Sequence, residues 1–200
     1  MICWTIEAAL AANFGARILV TSDDEEILEI ARQYQSQGGL AHRRSPELAT
    51  DTASTVDVLM DAVKAERLAG CDPETIVLLQ PTSPLRSADD IRDALERFRE
   101  NGENNTVVTV CEVDHPTAWT GTIGDDCKLE GIDLSGKRSQ DYQKEYRLNG
   151  AVYVARVSML FTTNSLFSES LIASVMPRER SLDIDDELTF KVCEAVFDRL

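Results

Sequence analysis

Apolar residues recur at two different spacings along the chain, and the two spacings predict helices and short buried strands in alternation. Helical spacing of apolar side chains appears in residues 3–13, 27–34 and 56–63. Short apolar or β-branched runs at residues 17–21 and 75–79 predict strands between these helices. The first half of the chain therefore predicts repeated strand–helix units.

The second half continues this pattern with one interruption. Ser87 is expected to cap a helix that ends near Gly102, and residues 106–110 predict the next strand. Four glycines punctuate the polar segment 111–146, which predicts an excursion from the core, either a lid or an oligomer arm. A strand at 149–155, a short helix at 157–161, a strand at 171–175 and a terminal helix containing Phe190, Cys193, Val196 and Phe197 complete the prediction. Such alternation predicts one α/β domain over residues 1–200, with a mostly parallel sheet and helices on both faces.

Composition narrows the classes of function. The formal net charge is −15, which argues against a protein that grips a nucleic acid polymer. No apolar run is long enough to span a bilayer, and the amino terminus lacks the pattern of a secretory signal, so we expect a cytoplasmic protein without a membrane partner. The five cysteines form no C-x-x-C pair and only two histidines are present, which disfavours a structural zinc site.

The loop that follows the strand at 75–79 is the first candidate site. Polar groups at the carboxyl end of a buried strand lie where open α/β sheets bind ligands. Two prolines stiffen this loop, so its side chains lose less entropy on binding. An ordinary strand-to-helix turn is the alternative interpretation. The polar residues are Gln80, Thr82, Ser83 and Arg86, and the prolines are Pro81 and Pro84.

Two further patterns carry possible chemistry. Asp183 and Asp185 alternate with apolar residues, which in an extended segment places both carboxylates on one face, as a Mg²⁺ site opposite a triphosphate requires. The alternative is that acidic residues here only charge the start of the terminal helix. Arg43 and Arg44 are adjacent arginines in an acidic chain and fit either a solvated loop or a phosphate contact.

Three segments together resemble the CMP-sialic acid synthetases, also called acylneuraminate cytidylyltransferases. LLQPTSPLR at residues 78–86 is very similar to the signature of that family. SLDIDDEL at 181–188 resembles its S-I-D-I-D-x-E-x-D segment, and RSQDYQKEYRLNG at 138–150 resembles its R-R-Q-x-L-P-x-x-Y-R-x-N-G segment. Ser139 departs from this pattern, since the family has a second arginine there.

The resemblance implies a Rossmann-like nucleotidyltransferase that couples CTP to a nonulosonic, sialic-type acid and releases pyrophosphate. It implies a homodimer built by an extension at residues 111–146, which also helps to close the sugar site of the neighbouring subunit. By the same resemblance, Asp183 and Asp185 are catalytic and bind Mg²⁺. The nucleotide would meet Arg44, Gln80 and Ser83, and the sugar acid would meet Gln140, Arg147 and Asn149, with Arg138 in place of the absent arginine.

One part of the family pattern is absent from these 200 residues. Family members have a first strand and an A-R-x-G-S-K phosphate loop ahead of the segment that matches residues 2–7, where this chain starts. The expected consequence is two exposed strand edges. Because the other three motifs are largely intact, we expect an active cytidylyltransferase. The alternative is a catalytically impaired family member that acts as a binding or subunit-pairing module. A glycosyltransferase that uses D-x-D ranks last, because it does not account for LLQPTSPLR.

Overall fold

The computed structural model describes residues 1–50 and 52–197; Asp51 and residues 198–200 of the predicted domain lie outside this description. Helices and strands alternate over most of it, in the order that the hydrophobic pattern predicts. The helices are α1 (Ile2–Ala12), α2 (Glu25–Gln33), α3 (Thr55–Leu68), α4 (Ala88–Glu100), α5 (Val157–Thr163) and α6 (Glu187–Phe197). The strands are β1 (Ile18–Ser22), β2 (Gly39–Arg43), β3 (Thr75–Leu79), β4 (Thr106–Glu112), β5 (Thr122–Ile123), β6 (Leu129–Glu130), β7 (Tyr146–Arg156) and β8 (Leu171–Val175).

The strands of the main layer form two separate sheets. Among the described residues, β1 pairs only with β2, in parallel, and the other sheet has the order β3-β7-β4-β8. Within the larger sheet β7 is antiparallel to β3 and β4, whereas β4 and β8 are parallel. A mostly apolar cavity of about 770 Å³ lies between β1 and β3, with α1 and α3 also lining it. We call it the interstrand cavity. The α/β class and the mostly parallel strand directions are confirmed.

Apolar side chains cover the larger sheet on both faces. On one face the α4 residues Ile91 and Phe98 pack with Val152 and Val154 of β7. On the other face, Leu160 of α5 packs with Leu59 of α3. Burial of such side chains is worth about 1.5–3 kcal/mol each. These two clusters hold β3 and β7, and with them the loop that follows β3, in a fixed position.

Local signals at the helix starts behave as the sequence predicts. The Ser87 hydroxyl accepts from the backbone of Asp90 while the Asp90 carboxylate accepts from the backbone of Ser87, which forms a capping box. Asp24 and Ser54 cap α2 and α3 with a single bond each, since their side chains accept from the backbone amides of Glu26 and Val56. The predicted start of α4 directly after the Pro81–Pro84 loop is therefore confirmed.

The sequence analysis missed one strand of the main layer, besides the short strands β5 and β6. Residues Gly39–Arg43 form β2, although the two polar residues His42 and Arg43 favoured a loop. The segment lies at a sheet edge, where β1 is its one partner in the described structure, so polar side chains are tolerated there.

The segment 111–146 departs from the layered core. Between β4 and β7 it contains the short antiparallel pair β5 and β6 and the 3₁₀ turns Thr117–Trp119 and Ser139–Asp141. Ile123, Leu129 and Leu134 in this segment are 74%, 57% and 90% exposed. Across the described residues, every helix is too short or too polar to cross a membrane.

Candidate functional site

Arg86, a residue of the loop from Gln80 to Ser87, holds this loop in place through hydrogen bonds. Arg86 is buried, and its guanidinium donates to the carbonyl oxygen of Gln80 at 3.1 Å and to that of Ala151 at 2.7 Å. The first bond closes the loop on itself and the second ties it to β7. Burial lowers the pKa of Arg86 to about 10, and the Asp90 carboxylate partly offsets this effect. The side chain therefore stays charged at neutral pH and acts as a clamp on the loop.

A second connection joins this loop to the segment that carries the paired aspartates. The backbone amide of Ile184 donates to the carbonyl oxygen of Thr82 at 2.8 Å. Arg180 adds two hydrogen bonds to the Asp90 carboxylate, at 2.9 Å each. Burial alone would raise the pKa of Asp90, but the bonds from Arg180 and Ser87 outweigh it and lower that pKa. Two regions about 100 residues apart in sequence are thus held side by side.

Three predicted site residues converge on one backbone position, Gly150 of β7. A methyl group at its Cα would lie 2.8 Å from Gln80 Oε1, 3.5 Å from Asp183 Oδ2 and 3.6 Å from Ser83 Oγ. The φ angle of Gly150 is +75°, which side chains rarely adopt. The glycine therefore opens the space in which an amide, a hydroxyl and a carboxylate meet. Such a mixed set of donors and acceptors fits a polar, phosphorylated ligand.

Asp183 has an uncompensated carboxylate oxygen. Its Oδ1 is buried and lacks a hydrogen-bond partner within the described structure. Burial raises the pKa of Tyr153 and of Cys193, and in both cases the negative charge of Asp183 raises it further. A buried carboxylate oxygen without a donor is costly unless a cation or a ligand completes it.

Asp183 and Asp185 supply part of the oxygen ligands that a magnesium ion needs. Asp185 is exposed on the same segment, so two carboxylates are available for a divalent cation that keeps several waters. Among the described residues, no group of three or more His, Cys, Asp or Glu side chains is arranged to hold a metal by itself. Asp186 is occupied as the cap of α6, since its Oδ1 accepts from Thr189 at 2.7 Å. A cation here would rely on Asp183, Asp185, solvent and the phosphates of its ligand.

Asn149 takes a role that the sequence did not indicate. Its side chain is buried, donates from Nδ2 to Ser181 Oγ at 2.9 Å and accepts from the backbone of Ala151 at 3.2 Å. Ser181 in turn donates to the carbonyl oxygen of Pro177 at 2.7 Å. Asn149 thus anchors the segment that leads into Asp183. Its predicted contact with a sugar stays a prediction.

Arg44 and Gln80 both line the interstrand cavity. Its Nη2 donates to the carbonyl oxygen of Thr21 at 2.7 Å, and its Nε is buried without a hydrogen-bond partner in the described structure. The structure therefore places two residues predicted to meet the nucleotide, Arg44 and Gln80, around one cavity. Ser83 follows Gln80 in the same turn, where its amide donates to the Gln80 carbonyl oxygen at 3.3 Å.

The remaining predicted residues, Arg138, Gln140 and Arg147, are exposed. Arg147 is exposed on β7, and the alternation of the strand places it on the same face as Asn149. Arg138 and Gln140 are exposed beside or within the 3₁₀ turn Ser139–Asp141. Within the described part of the chain, no hydrogen bond or ion pair joins these two side chains to Gln80, Ser83 or Asp183. Their predicted contact with a sugar acid stays a prediction.

The chain is similar to curated proteins that transfer cytidylyl groups. It is 32% identical over 193 residues to an N-acylneuraminate cytidylyltransferase of Escherichia coli, a match that covers 96% of this chain and 44% of that protein. It is 29% identical over 205 residues to a CMP-N,N'-diacetyllegionaminic acid synthase of Legionella pneumophila, covering 99% of this chain and 85% of that protein. The chain therefore spans less than half of the first relative and most of the second.

Solved structures show the same fold at low sequence identity. The structure of a CMP:2-keto-3-deoxy-manno-octonic acid synthetase in complex with CTP superposes with a TM-score of 0.69 at 15% identity, covering 99% of this chain and 87% of that one. The family model described as cytidylyltransferase matches residues 1–122, which is more than half of the 200 residues. With the predicted LLQPTSPLR loop held beside Asp183 in the fold, these matches establish that the chain belongs to the cytidylyltransferase family.

Proposed function

We propose that this chain couples CTP to a nonulosonic acid and releases pyrophosphate. The observation that carries the proposal is the convergence of Gln80, Ser83 and Asp183 on Gly150, where one buried oxygen of Asp183 has no donor among the described residues. The relatives named as N-acylneuraminate and legionaminic acid enzymes support the class of sugar.

The residues around Gly150 divide the work of such a reaction. Gln80 and Ser83 offer amide and hydroxyl groups from a loop that Arg86 holds rigid, so they can orient a nucleotide with little loss of entropy. Arg44 supplies a cation on the neighbouring β1–β2 sheet, where Thr21 fixes its guanidinium. These groups would place the triphosphate against Asp183.

Asp183 and Asp185 are the residues that would hold Mg²⁺. When bound, the ion would supply positive charge against the charge that develops on the transferring phosphoryl group. The contribution of the chain itself is to hold the Asp183 segment through the Thr82, Asn149 and Asp90 contacts, so that the Asp183 carboxylate lies close to Gln80 and Ser83 before a nucleotide binds.

The sugar acid would approach from the side of β7 and the extension. Arg147 presents a guanidinium on the face that Asn149 shares, and a substrate carboxylate favours such a planar pair of donors. Arg138 and Gln140 project from the extension, and we propose that they complete the sugar site of a second subunit. The large exposure of Ile123, Leu129 and Leu134 supports a homodimer that covers this extension.

Pyrophosphate release tests the proposal. The chain would be incubated with CTP, Mg²⁺ and N-acetylneuraminic, legionaminic or pseudaminic acid, beside a form extended with a family-like amino-terminal strand and phosphate loop. Turnover with one of these acids, by either form, supports the proposal. Absence of turnover by both forms with every acid would favour the alternative, a binding or subunit-pairing module.

Two pairs of variants test the proposed metal residues and the proposed dimer contact. Asp185→Ala should abolish turnover and leave the fold intact, whereas Glu187→Ala should retain turnover because Glu187 is an exposed residue in the first turn of α6.

For the dimer, Leu134→Glu should shift the sedimentation coefficient toward that of a monomer. Leu68→Glu is the matched control, since Leu68 is 91% exposed at the end of α3, away from the extension. Equal sedimentation of both variants would exclude the extension as the dimer contact.

A further inference from the structure

A second cavity, of about 380 Å³, lies beside the start of α4, and we call it the Arg86 cavity. Its described lining comes from residues between Pro84 and Asp89, from Arg180 and from Phe197 at the end of α6. The residues that meet at Gly150 are not part of this lining, and the Arg86 cavity shares no described lining residue with the interstrand cavity. The Arg86 cavity is therefore separate from the candidate nucleotide site.

Arg86 has one guanidinium edge without partners. The residue is 3% exposed, and its Nη1 is occupied by the carbonyl oxygens of Gln80 and Ala151. Its Nε is buried and has no hydrogen-bond partner among the described residues. Its Nη2 makes no hydrogen bond there either, but it is not among the fully buried unpaired atoms, so it keeps some accessible surface. Nε and Nη2 form the edge of a guanidinium that binds carboxylates side-on.

The neighbouring Arg180 shows how such an edge is satisfied. Its Nε and Nη2 donate to the two carboxylate oxygens of Asp90, at 2.9 Å each. Arg180 and Arg86 line the same cavity. The same pair of donors is thus saturated by a carboxylate in one arginine and unpaired in the other. Because a buried charged donor without an acceptor is costly, a second carboxylate is the group that Arg86 lacks.

The charges around the cavity favour a ligand with one negative charge. Asp89 pairs with Arg92, and Asp90 pairs with Arg180. Arg86 is the one lining cation without an ion-pair partner in the described part of the chain. A single carboxylate balances that charge, whereas a phosphate dianion would leave an excess negative charge beside two aspartates.

The rest of the lining indicates the body of the ligand. Pro84, Leu85 and Phe197 present apolar surface to the cavity. The ring of Phe197 stacks on Trp4 with 4.4 Å between the ring centroids, which holds the aromatic wall in place. A polyhydroxylated sugar acid would lose hydrogen bonds to water against this surface. An aromatic or aliphatic group fits it better.

We propose that the Arg86 cavity binds a small organic carboxylate with an apolar or aromatic body. The carboxylate accepts from Nη2 of Arg86 and lies against the edge that Nε shares, while the body packs against Leu85 and Phe197. The Nη1 bonds to Gln80 and Ala151 stay intact, because the ligand uses the other edge. This inference does not depend on the proposed catalytic activity.

Titration with phenylacetate tests this site in the whole chain without CTP or a sugar acid. The probe carries one carboxylate and one aromatic ring. It should shift the assigned Nε–H nuclear magnetic resonance signal of Arg86 and the backbone amide signal of Ser87 in a saturable manner. Phenylacetamide keeps the ring without the charge, and acetate keeps the charge without the ring. Both controls should bind at least about tenfold more weakly than phenylacetate.

A variant of the apolar wall tests the site without altering the Arg86 hydrogen bonds. Phe197→Ala removes the aromatic surface and should weaken phenylacetate binding about tenfold. Val192→Ala is the matched control on α6, because Val192 is 41% exposed and lies outside the described lining. Its affinity for phenylacetate should stay within about twofold of that of the unmodified chain.

Three results would overturn the proposal. Equal affinities for phenylacetate and phenylacetamide would show that Arg86 does not recognise the carboxylate. Displacement of phenylacetate by CTP or by N-acetylneuraminic acid would assign the probe to the proposed catalytic site. An unshifted Arg86 signal at about ten times a millimolar dissociation constant would show that the cavity does not take such a ligand. All of these measurements are made without turnover, so failure of this site and failure of the proposed activity are distinguishable.

Discussion

Arg180 donates two hydrogen bonds to the Asp90 carboxylate, at 2.9 Å each, across 90 residues of sequence. Asp90 lies in the first turn of α4, directly after the loop that carries Gln80 and Ser83. Arg180 ends the turn that leads into Asp183. This ion pair therefore links the nucleotide side of the candidate site to its carboxylate side, and the distance between the two sides depends on it.

Arg180→Gln should destabilise the protein measurably. Removing one partner from a fully buried ion pair costs about 3–5 kcal/mol. Asp90 is 4% exposed but the Arg180 side chain is 29% exposed, so we expect a loss of about 2 kcal/mol in the free energy of unfolding. The measurement is urea denaturation at pH 7. Arg178→Gln is the matched control in the same turn, because Arg178 pairs with Asp114 at the surface, and it should cost less than about 1 kcal/mol. Equal losses in the two variants would contradict the linking role of the pair.

The same pair predicts the acid sensitivity of the fold. The folded-state pKa of Asp90 lies below its ordinary value of 3.8, so the unfolded chain binds a proton more readily than the folded one. The resulting stability is present above that ordinary value and is lost as the pH falls through the folded pKa. The free energy of unfolding should therefore begin to decrease as the pH approaches 3.8 and should continue to decrease until the pH is below the folded pKa. In Arg180→Gln this decrease should be shallower, and an unchanged slope would show that other carboxylates account for the acid response.

Local sequence signals accounted for most of the fold. The Ser87 cap, the apolar strand at 75–79 and the helix that ends near Gly102 were each predictable, because nearby residues determine a cap and a periodic pattern. β2 was missed since its polar residues lie at a sheet edge, where a hydrophobic pattern is not required. Tertiary pairing, not local propensity, decides such a strand.

The candidate site was predictable as a set of residue types but not as a set of contacts. The D-x-D segment and the LLQPTSPLR loop named Asp183 and Gln80 without indicating that both approach Gly150. The sequence did not indicate that the side chains of Arg86 and Asn149 bind backbone and side-chain groups of the chain itself. Long polar side chains bond either to a ligand or to a distant carbonyl, and only the folded geometry distinguishes these partners.

Gly150→Ala should weaken the binding of CTP and should also lower the free energy of unfolding slightly. The added methyl group would lie 2.8 Å from Gln80 Oε1 and would force that side chain out of its place. A side chain at positive φ costs about 1–2 kcal/mol by itself. Gly136→Ala is the matched control, because Gly136 has φ +74° and open space where its Cβ would lie. Isothermal titration with CTP should show weaker binding for Gly150→Ala and wild-type binding for Gly136→Ala. Equal CTP affinities for the two variants would remove Gly150 from the site.

Asp183→Asn should separate the stability of the fold from the binding of a cation. Without divalent ions, the substitution removes a negative charge whose Oδ1 has no donor, so the thermal midpoint should stay the same or rise. With Mg²⁺ at ten times its dissociation constant, the unmodified protein should gain about 1.4 kcal/mol of stability, and the variant should gain far less.

Asp186→Asn provides the control for this comparison. Asp186 caps α6 through Thr189, and asparagine is an equally good cap, so the variant should keep the full response to Mg²⁺. Thermal unfolding with and without Mg²⁺ measures all three proteins. If Asp183→Asn responded to Mg²⁺ as strongly as the unmodified chain, the orphaned oxygen would have to be explained by a ligand other than a cation. If Asp186→Asn alone lost the response, the metal would belong to the start of α6 and the assignment to the D-x-D pair would be wrong.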